Sequence, residues 1–329
     1  MPKELTHWHI AHAVLQKGVP VRIGEITVSN PALYYIGAVA HDIAFYDLSI
    51  PAETRIEHVA NQLHGVAGEN TLVPLSEMMA SALSKSNNQA LLAFLLGMLT
   101  HFVADSVFHP MVYYMSGNYF AENKEERGQA VFRHRLLETA IDLWFTTADP
   151  LEYPYDLSHL WHEAGEDGIQ ALKPFVGHFS LPGDKSMKAH FKKAWRNHRF
   201  LQTAFSWSIP RRILAFYRRF GHTSAEKLEA LFYPQPLDLS FLDAKLDWLH
   251  PVTGEPHVMN LQELYDLSVQ KVNNLFEQLG QQPKEDWPAL LKTMTPLSLD
   301  SGLSYVPVNQ MKYFRSEPIE QRLKGSKER

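Results

Sequence analysis

Apolar residues recur at intervals of three and four along much of the chain, as in Leu91, Phe94, Leu95 and Met98 and again in Leu136, Leu137, Ile141 and Leu143. That is the period of a helix face turned toward a core, and alternating strand patterns are scarce. The pattern predicts a mainly α-helical protein. Punctuation agrees: Ser49 with Pro51, Ser76 with Glu77, and Asn87 read as helix starts, while Gly65, Gly68 and Gly117 lie where helices would stop. Residues 247–255 read as an ordered turn before a helix beginning near Asn260, a structural element, although His250 and His257 could line a cleft.

A turn-rich stretch at residues 150–183 suggests a division into a core over residues 1–183 and an extension over residues 184–329 packed on it, one continuous domain being the alternative. The most apolar run, residues 90–100, is about half the length a bilayer requires and leads straight into His101 and Asp105, so a buried helix is expected there. Near the N-terminus His7, His9 and His12 interrupt any apolar signal segment, which makes the cytoplasm the expected location.

Composition narrows the chemistry. With no cysteine among 329 residues, disulfides, thiolate zinc sites, iron–sulfur clusters and a cysteine nucleophile are excluded, and any metal must sit on nitrogen and oxygen. Histidine is abundant, at 17 residues. A Gly-rich phosphate loop, a Gly-x-Ser-x-Gly elbow and a His-Glu-x-x-His run are all missing. The formal net charge is −5, yet Lys185, Lys188, Lys192, Lys193, Arg196, Arg199, Arg211, Arg212, Arg218 and Arg219 follow one another with no acidic residue between them. Such a segment could attract an anionic substrate or surface; a solvated helical face beside an acidic one is the plainer reading.

His101, Asp105 and His109 are spaced by four, so all three project from nearly one face of a helix. The next amphipathic segment repeats the device with His134, Glu138 and Asp142. Two such helices side by side would pool imidazoles and carboxylates in one interior cleft, as bundle proteins do when they build metal sites. Buried carboxylates among leucines need their charge answered, and a divalent cation answers it. Without a metal, the same residues would join the helices through His–carboxylate hydrogen bonds.

Upstream lie Thr6-His7-Trp8, the run Gly37-Ala38-Val39-Ala40-His41-Asp42, and Gln62-Leu63-His64-Gly65. In this order the motifs resemble the zinc-dependent phospholipase C superfamily, whose relatives include bacterial phospholipases C and fungal single-strand nucleases. The resemblance spans residues 6–142. It implies an all-α fold, a helical bundle of the phospholipase C/nuclease type with a helical C-terminal extension, and an enzyme that cleaves phosphodiester bonds with a zinc cluster. It carries metal ligation onto His7, Asp42, His64, His101, Asp105, His134 and Glu138, and gives Asp142 a counterpart one turn on. It also implies that Asp42 serves as general base and that Asp105 bridges two ions. His109 departs from the pattern: it lies four residues beyond Asp105 and precedes Pro110-Met111, where the phospholipases place a histidine six beyond, so it is a surrogate ligand. The secreted enzymes also ligate zinc through a processed terminal amine, whereas Met1 here stands only six residues before His7. Two or three zinc ions are therefore expected, with iron or manganese as alternatives for this donor set. His12, His41 and His58 compete for ligation.

The expected activity is metal-dependent hydrolysis of a phosphoester by a zinc-activated water, Asp42 taking the proton. Expected partners are a phosphoester small molecule or a phospholipid head group, with anionic surface contact through the basic segment; nucleic acid is the weaker candidate. The alternative is a non-catalytic helical binding protein that retains a structural metal cluster. Tyr34, Tyr35, Phe45, Tyr46, Tyr113 and Tyr114 are candidates to wall a pocket, although core packing is the commoner job of such residues.

Overall fold

The computed structural model describes residues 3–84, 88–148, 156–180, 185–220, 223–233 and 235–323; Met1, Asn87 and parts of the 150–183 stretch lie outside them. The chain runs α1 (Glu4–Gln16), α2 (Val21–Ser29), α3 (Pro31–Gly37), a 3₁₀ segment (Ala40–Tyr46), α4 (Glu57–His64), α5 (Leu72–Ser84), α6 (Gln89–Ser116) and α7 (Lys124–Ala148). It continues through α8 (Leu157–Ala171), α9 (Lys173–His178), α10 (Lys185–Ala204), α11 (Ser208–Arg218) and α12 (Thr223–Glu229). Strands β1 (Leu246–Leu249) and β2 (Pro256–Met259) precede α13 (Leu261–Gly280), α14 (Trp287–Thr293) and α15 (Glu320–Leu323). The fold is all-α apart from one antiparallel hairpin, in which Leu246 pairs with Met259.

α6 is the axis. Asn88 caps it, the side-chain oxygen accepting from Leu91 N at 3.0 Å, and Gly117 ends it at φ 97°. Its 28 residues are long and apolar enough to cross a membrane, but the apolar window is wholly enclosed by protein. A helix that is hydrophobic all round becomes the centre of a bundle, and α1, α2, α3, α5, α7 and α13 all pack on this one. α3 comes closest: a methyl group on Gly97 would lie 2.0 Å from Tyr34 O, and one on Gly37 would lie 2.0 Å from Phe94 O. Glycine on both helices lets the two backbones touch.

Three expected boundaries move. Ser76 does not start a helix, because Asn70 Oδ1 already accepts from Leu72 N and Val73 N four residues earlier; the Ser76 hydroxyl instead donates to Pro288 O and ties α14 to α5. Ser49 with Pro51 opens only a short 3₁₀ turn, Ala52–Thr54, since Ser49 and the Ile56 amide are both held by Asp47. Residues 150–183 are mostly helical where described, in α8, which breaks at Gly165, φ 66°, and in α9. Gly65 does close α4, at φ 67°.

The hydrophobic core runs without interruption from Trp8 to Leu323. α13 packs on α1 and α6 and begins with a complete capping box: Asn260 Oδ1 accepts from Glu263 N while Glu263 Oε2 accepts from Asn260 N. Asn260→Ala is expected to destabilise the protein by about 1 kcal/mol, measurable as a fall in the urea midpoint with an unchanged m-value. Beyond α14 the chain returns to the centre of α6. Pro110 has no amide to offer Ser106 O, and Gly302, at φ 67°, fits against that oxygen so tightly that a Cβ would lie 2.6 Å from it. Residues 297–303 are fixed there, with Leu299 N donating to His64 O at 2.8 Å.

Candidate metal centre

Each donor is delivered by a local device. His7 sits on α1, whose N-terminus is capped from another helix: Asp142 Oδ1 accepts from Thr6 N at 2.9 Å and from the Thr6 hydroxyl at 2.5 Å, and Oδ2 accepts from Leu5 N at 3.2 Å. Trp8, on the other side, donates Nε1–H to Tyr35 O. The hydroxyl–His–aromatic run thus anchors both neighbours of His7. Asp142 is spent on this cap and on the Tyr233 hydroxyl at 2.9 Å, so it stays outside the cluster formed by His134 and Glu138; burial raises its pKa to about 6. Asp42 is presented by the 3₁₀ segment, His64 is the last residue of α4, and His101, Asp105 and His109 occupy successive turns of α6.

Asp105 is the hub. Its Oδ2 lies 2.9 Å from His101 Nε2 and 3.5 Å from His64 Nε2, and its Oδ1 lies 3.2 Å from His7 Nε2 and 3.7 Å from His109 Nε2. His64 Nε2 is also 3.2 Å from Asp42 Oδ1. His134 Nε2 and Glu138 Oε1, on α7, are 2.8 Å apart, and the His134 and His109 ring centres are 5.9 Å apart. The donors form three groups, each within 4.8 Å: His7, His101 and Asp105; Asp42, His64 and His101; and His109, His134 and Glu138. All eight sequence candidates therefore converge, His109 included. His41 is buried and stacked on His101 at 4.5 Å without entering a group, His12 faces the Tyr35 hydroxyl, and His58 is exposed.

Tautomers decide what the short distances mean. His101 donates Nδ1–H to Ala38 O at 2.9 Å and His64 donates Nδ1–H to Ala60 O at 2.7 Å, which leaves each neutral ring with only a lone pair at Nε2. On His101 that lone pair faces an Asp105 oxygen, acceptor against acceptor, whereas on His64, whose pKa is pushed up to about 10, a proton at Nε2 stands between Asp42 and Asp105. Accordingly His101 Nε2, both oxygens of Asp105, Asp42 Oδ1 and both nitrogens of His7 have no hydrogen-bond partner among the described residues, although all are buried. A cation between them satisfies the carboxylate oxygens, His101 Nε2 and the Nε2 of His7, and imidazole with carboxylate is a donor set that suits zinc.

Electrostatics fit the same arrangement. Burial pushes Asp105 upward, but His101, His109 and His7 outweigh it and hold the carboxyl well below its usual range; Asp42 is lowered in the same way by His101 and His64. Burial depresses His7, His41 and His134, favouring the neutral ring that a metal needs. His64 goes the other way: burial is outweighed by Asp105 and Asp42, and the ring is pushed up to about 10. A proton on His64 and a cation would compete for the same Nε2 lone pair.

One neighbour has no local sequence signal. Asp300, from the loop docked at Pro110, places Oδ1 3.0 Å from His109 Nδ1, and its charge adds to burial in raising the Tyr113 hydroxyl well above its usual pKa. Of the aromatic candidates, Phe45 flanks His64 and Tyr113 flanks His134, joined by Tyr119 at 5.2 Å from His134. Tyr34 and Tyr46 are engaged elsewhere, with Ala11 O and Glu4, and Tyr35 and Tyr114 pack in the core. Two surface clefts, about 300 Å³ between α3 and α8 and about 480 Å³ between α5 and α14, contain none of the donors. Solvent meets the cluster where Asp42 and His134 keep side-chain exposures of 11% and 9%.

No curated protein and no solved structure matches the chain. The sequence pattern of the zinc dependent phospholipase C family matches residues 6–173, a span that contains all eight converging donors. With half of its length matched and a helical fold to carry the match, the chain belongs to the zinc-dependent phospholipase C family.

Proposed function

We propose that the protein is a metal-dependent phosphoesterase acting on a phosphodiester, with a small phosphoester or a phospholipid head group as substrate. The observation that carries this reading is the set of buried atoms centred on Asp105 that have no hydrogen-bond partner among the described residues: both of its oxygens, His101 Nε2 and Asp42 Oδ1. His7, Asp42, His64, His101, Asp105, His109, His134 and Glu138 would hold two or three zinc ions. Zinc bound there would bring the pKa of a coordinated water toward neutrality and polarise the phosphoryl oxygens. Asp42 accepts the proton of the attacking water; it is the carboxylate of the central group with a side chain open to solvent. Ala38 O and Ala60 O fix two rings by their Nδ1–H, and Asp300 stands behind a third. Tyr113 and Tyr119 line the approach beside His134.

Metal analysis of the purified protein, together with turnover of chromogenic phosphodiesters before and after chelation, tests the proposal. Activity should vanish with chelator, return with zinc, and fall by about 10²–10⁴-fold in Asp42→Asn. Tightly bound zinc with no turnover on any phosphodiester would favour a second reading, a structural staple, to which the deep burial of the donors also points. A structural site is closed by protein ligands, and a catalytic one keeps a position for water.

A further inference from the structure

α11 is built inside out. Its arginines 211 and 218 turn inward, where Nη1 of each lies 3.3 and 3.2 Å from the two carboxylate oxygens of buried Glu229. No residue of α11 is buried. Its apolar positions Ile209, Ile213 and Phe216, continued by Phe220, recur at intervals of four, three and four and face solvent with exposures of 69%, 52%, 56% and 67%. On an ordinary surface helix this stripe would meet the core. The corner leading into α11 is apolar as well: Trp207 and Phe200, both exposed, are in edge contact at 6.0 Å.

Charge identifies what covers this face. Arg212 and Arg219 are exposed and flank the apolar stripe. On α10, Lys185, Lys188, Lys192 and Arg196 are exposed at helical spacing and lead toward Phe200. Residues 185–220 contain no acidic side chain to neutralise them. An exposed apolar and aromatic stripe bordered by cations is the signature of a helix that lies in a lipid interface, its apolar side among the acyl chains and its arginines at the phosphates. We propose that α11, with the Phe200–Trp207 corner, is the surface by which this protein docks on an anionic phospholipid bilayer. The proposal goes beyond the hydrolytic reading and does not depend on it, since binding is read without turnover.

The test is co-sedimentation of the full chain with vesicles of phosphatidylcholine containing phosphatidylserine and with vesicles of phosphatidylcholine alone, at low and high salt. Three double variants are compared, all at exposed positions and checked for an unchanged melting temperature: Ile213→Ser with Phe216→Ser, Arg212→Glu with Arg219→Glu, and, as a control on another face, Val21→Ser with Val28→Ser. The wild type and the control should pellet with the anionic vesicles and lose binding as salt rises. The arginine reversal should weaken partitioning on the order of a hundredfold and the apolar pair at least tenfold. Failure of the wild type to pellet, or pelleting that neither α11 variant reduces, would overturn the proposal. So would a concentration-dependent dimer abolished by Ile213→Ser with Phe216→Ser in the absence of lipid binding, because a second copy would then be the occupant.

Discussion

Asp105→Asn is expected to lower the bound zinc by at least one equivalent per chain and kcat/KM by on the order of 10³ or more. The substitution keeps the shape of the side chain and removes its charge. That charge faces four imidazoles on three helices: His7 from α1, His64 from α4, and His101 and His109 from α6. Each carboxylate oxygen serves two of them, so an amide turns toward two of the rings an NH₂ end, which has no lone pair to share with a cation. Several kcal/mol of transition-state stabilisation rests on a metal held in such a site, and 4 kcal/mol corresponds to about 10³ in rate. Removing one partner from a buried set of charges also costs about 3–5 kcal/mol of stability. Metal content by elemental analysis, kcat/KM and the melting temperature would be measured together. Asp142→Asn serves as the contrast: it should weaken the cap of α1 while the His109, His134 and Glu138 group keeps its metal. Full zinc content and full activity in Asp105→Asn would remove the proposed ligand set.

The second large effect is expected at a residue with no side chain. Gly97→Ala should lower stability by about 1–3 kcal/mol, as overpacking does. The sign is informative, because alanine is the better helix former by about 1 kcal/mol and would stabilise α6 if nothing stood in its way. What stands in its way is backbone: Tyr34 O at 2.0 Å and Ala38 N at 2.8 Å from the added methyl. Neither can swing aside as a side chain tip would, so α3 must move off α6. Ala38 O is the acceptor that holds His101 Nδ1 at 2.9 Å, and it lies at the end of α3. Zinc affinity is therefore expected to fall with stability, by about 10–100-fold, the usual effect of losing a group that orients a ligand. The urea midpoint and a competitive zinc titration check the two halves of this expectation. A rise in stability would show that the helices are not in backbone contact.

What could be read along the chain was what repeats at the helical period or forms a local motif. The His101, Asp105, His109 and His134, Glu138 spacings place donors on facing sides of α6 and α7, and the short runs around His7, Asp42 and His64 are each legible by themselves. Asp142 shares that spacing yet bonds to α1, because a carboxylate one turn farther along α7 passes beyond the cluster and meets the open amides of Leu5 and Thr6. Asp300 has no periodic neighbours and acquires its place only through Gly302 and the proline of α6, a contact between distant parts of the chain. The hairpin of β1 and β2 is four residues per strand, too short for an alternation to be recognised, although its turn and the Asn260 start beyond it were expected. In α11 the apolar stripe obeys the same period as a core helix. Only the pairing of Arg211 and Arg218 with Glu229 reveals which side faces out.

The loop seated at Pro110 is made late. A ribosome synthesises the donors of α1, α4, α6 and α7 well before residue 300, and until then the Nδ1 side of His109 lacks its anionic neighbour and the His64 carbonyl lacks the Leu299 amide. Donors supplied by residues 7–138 are thus enclosed by a loop more than 150 residues farther along the chain. A chain cut before residue 297 would keep every ligand and lose their enclosure.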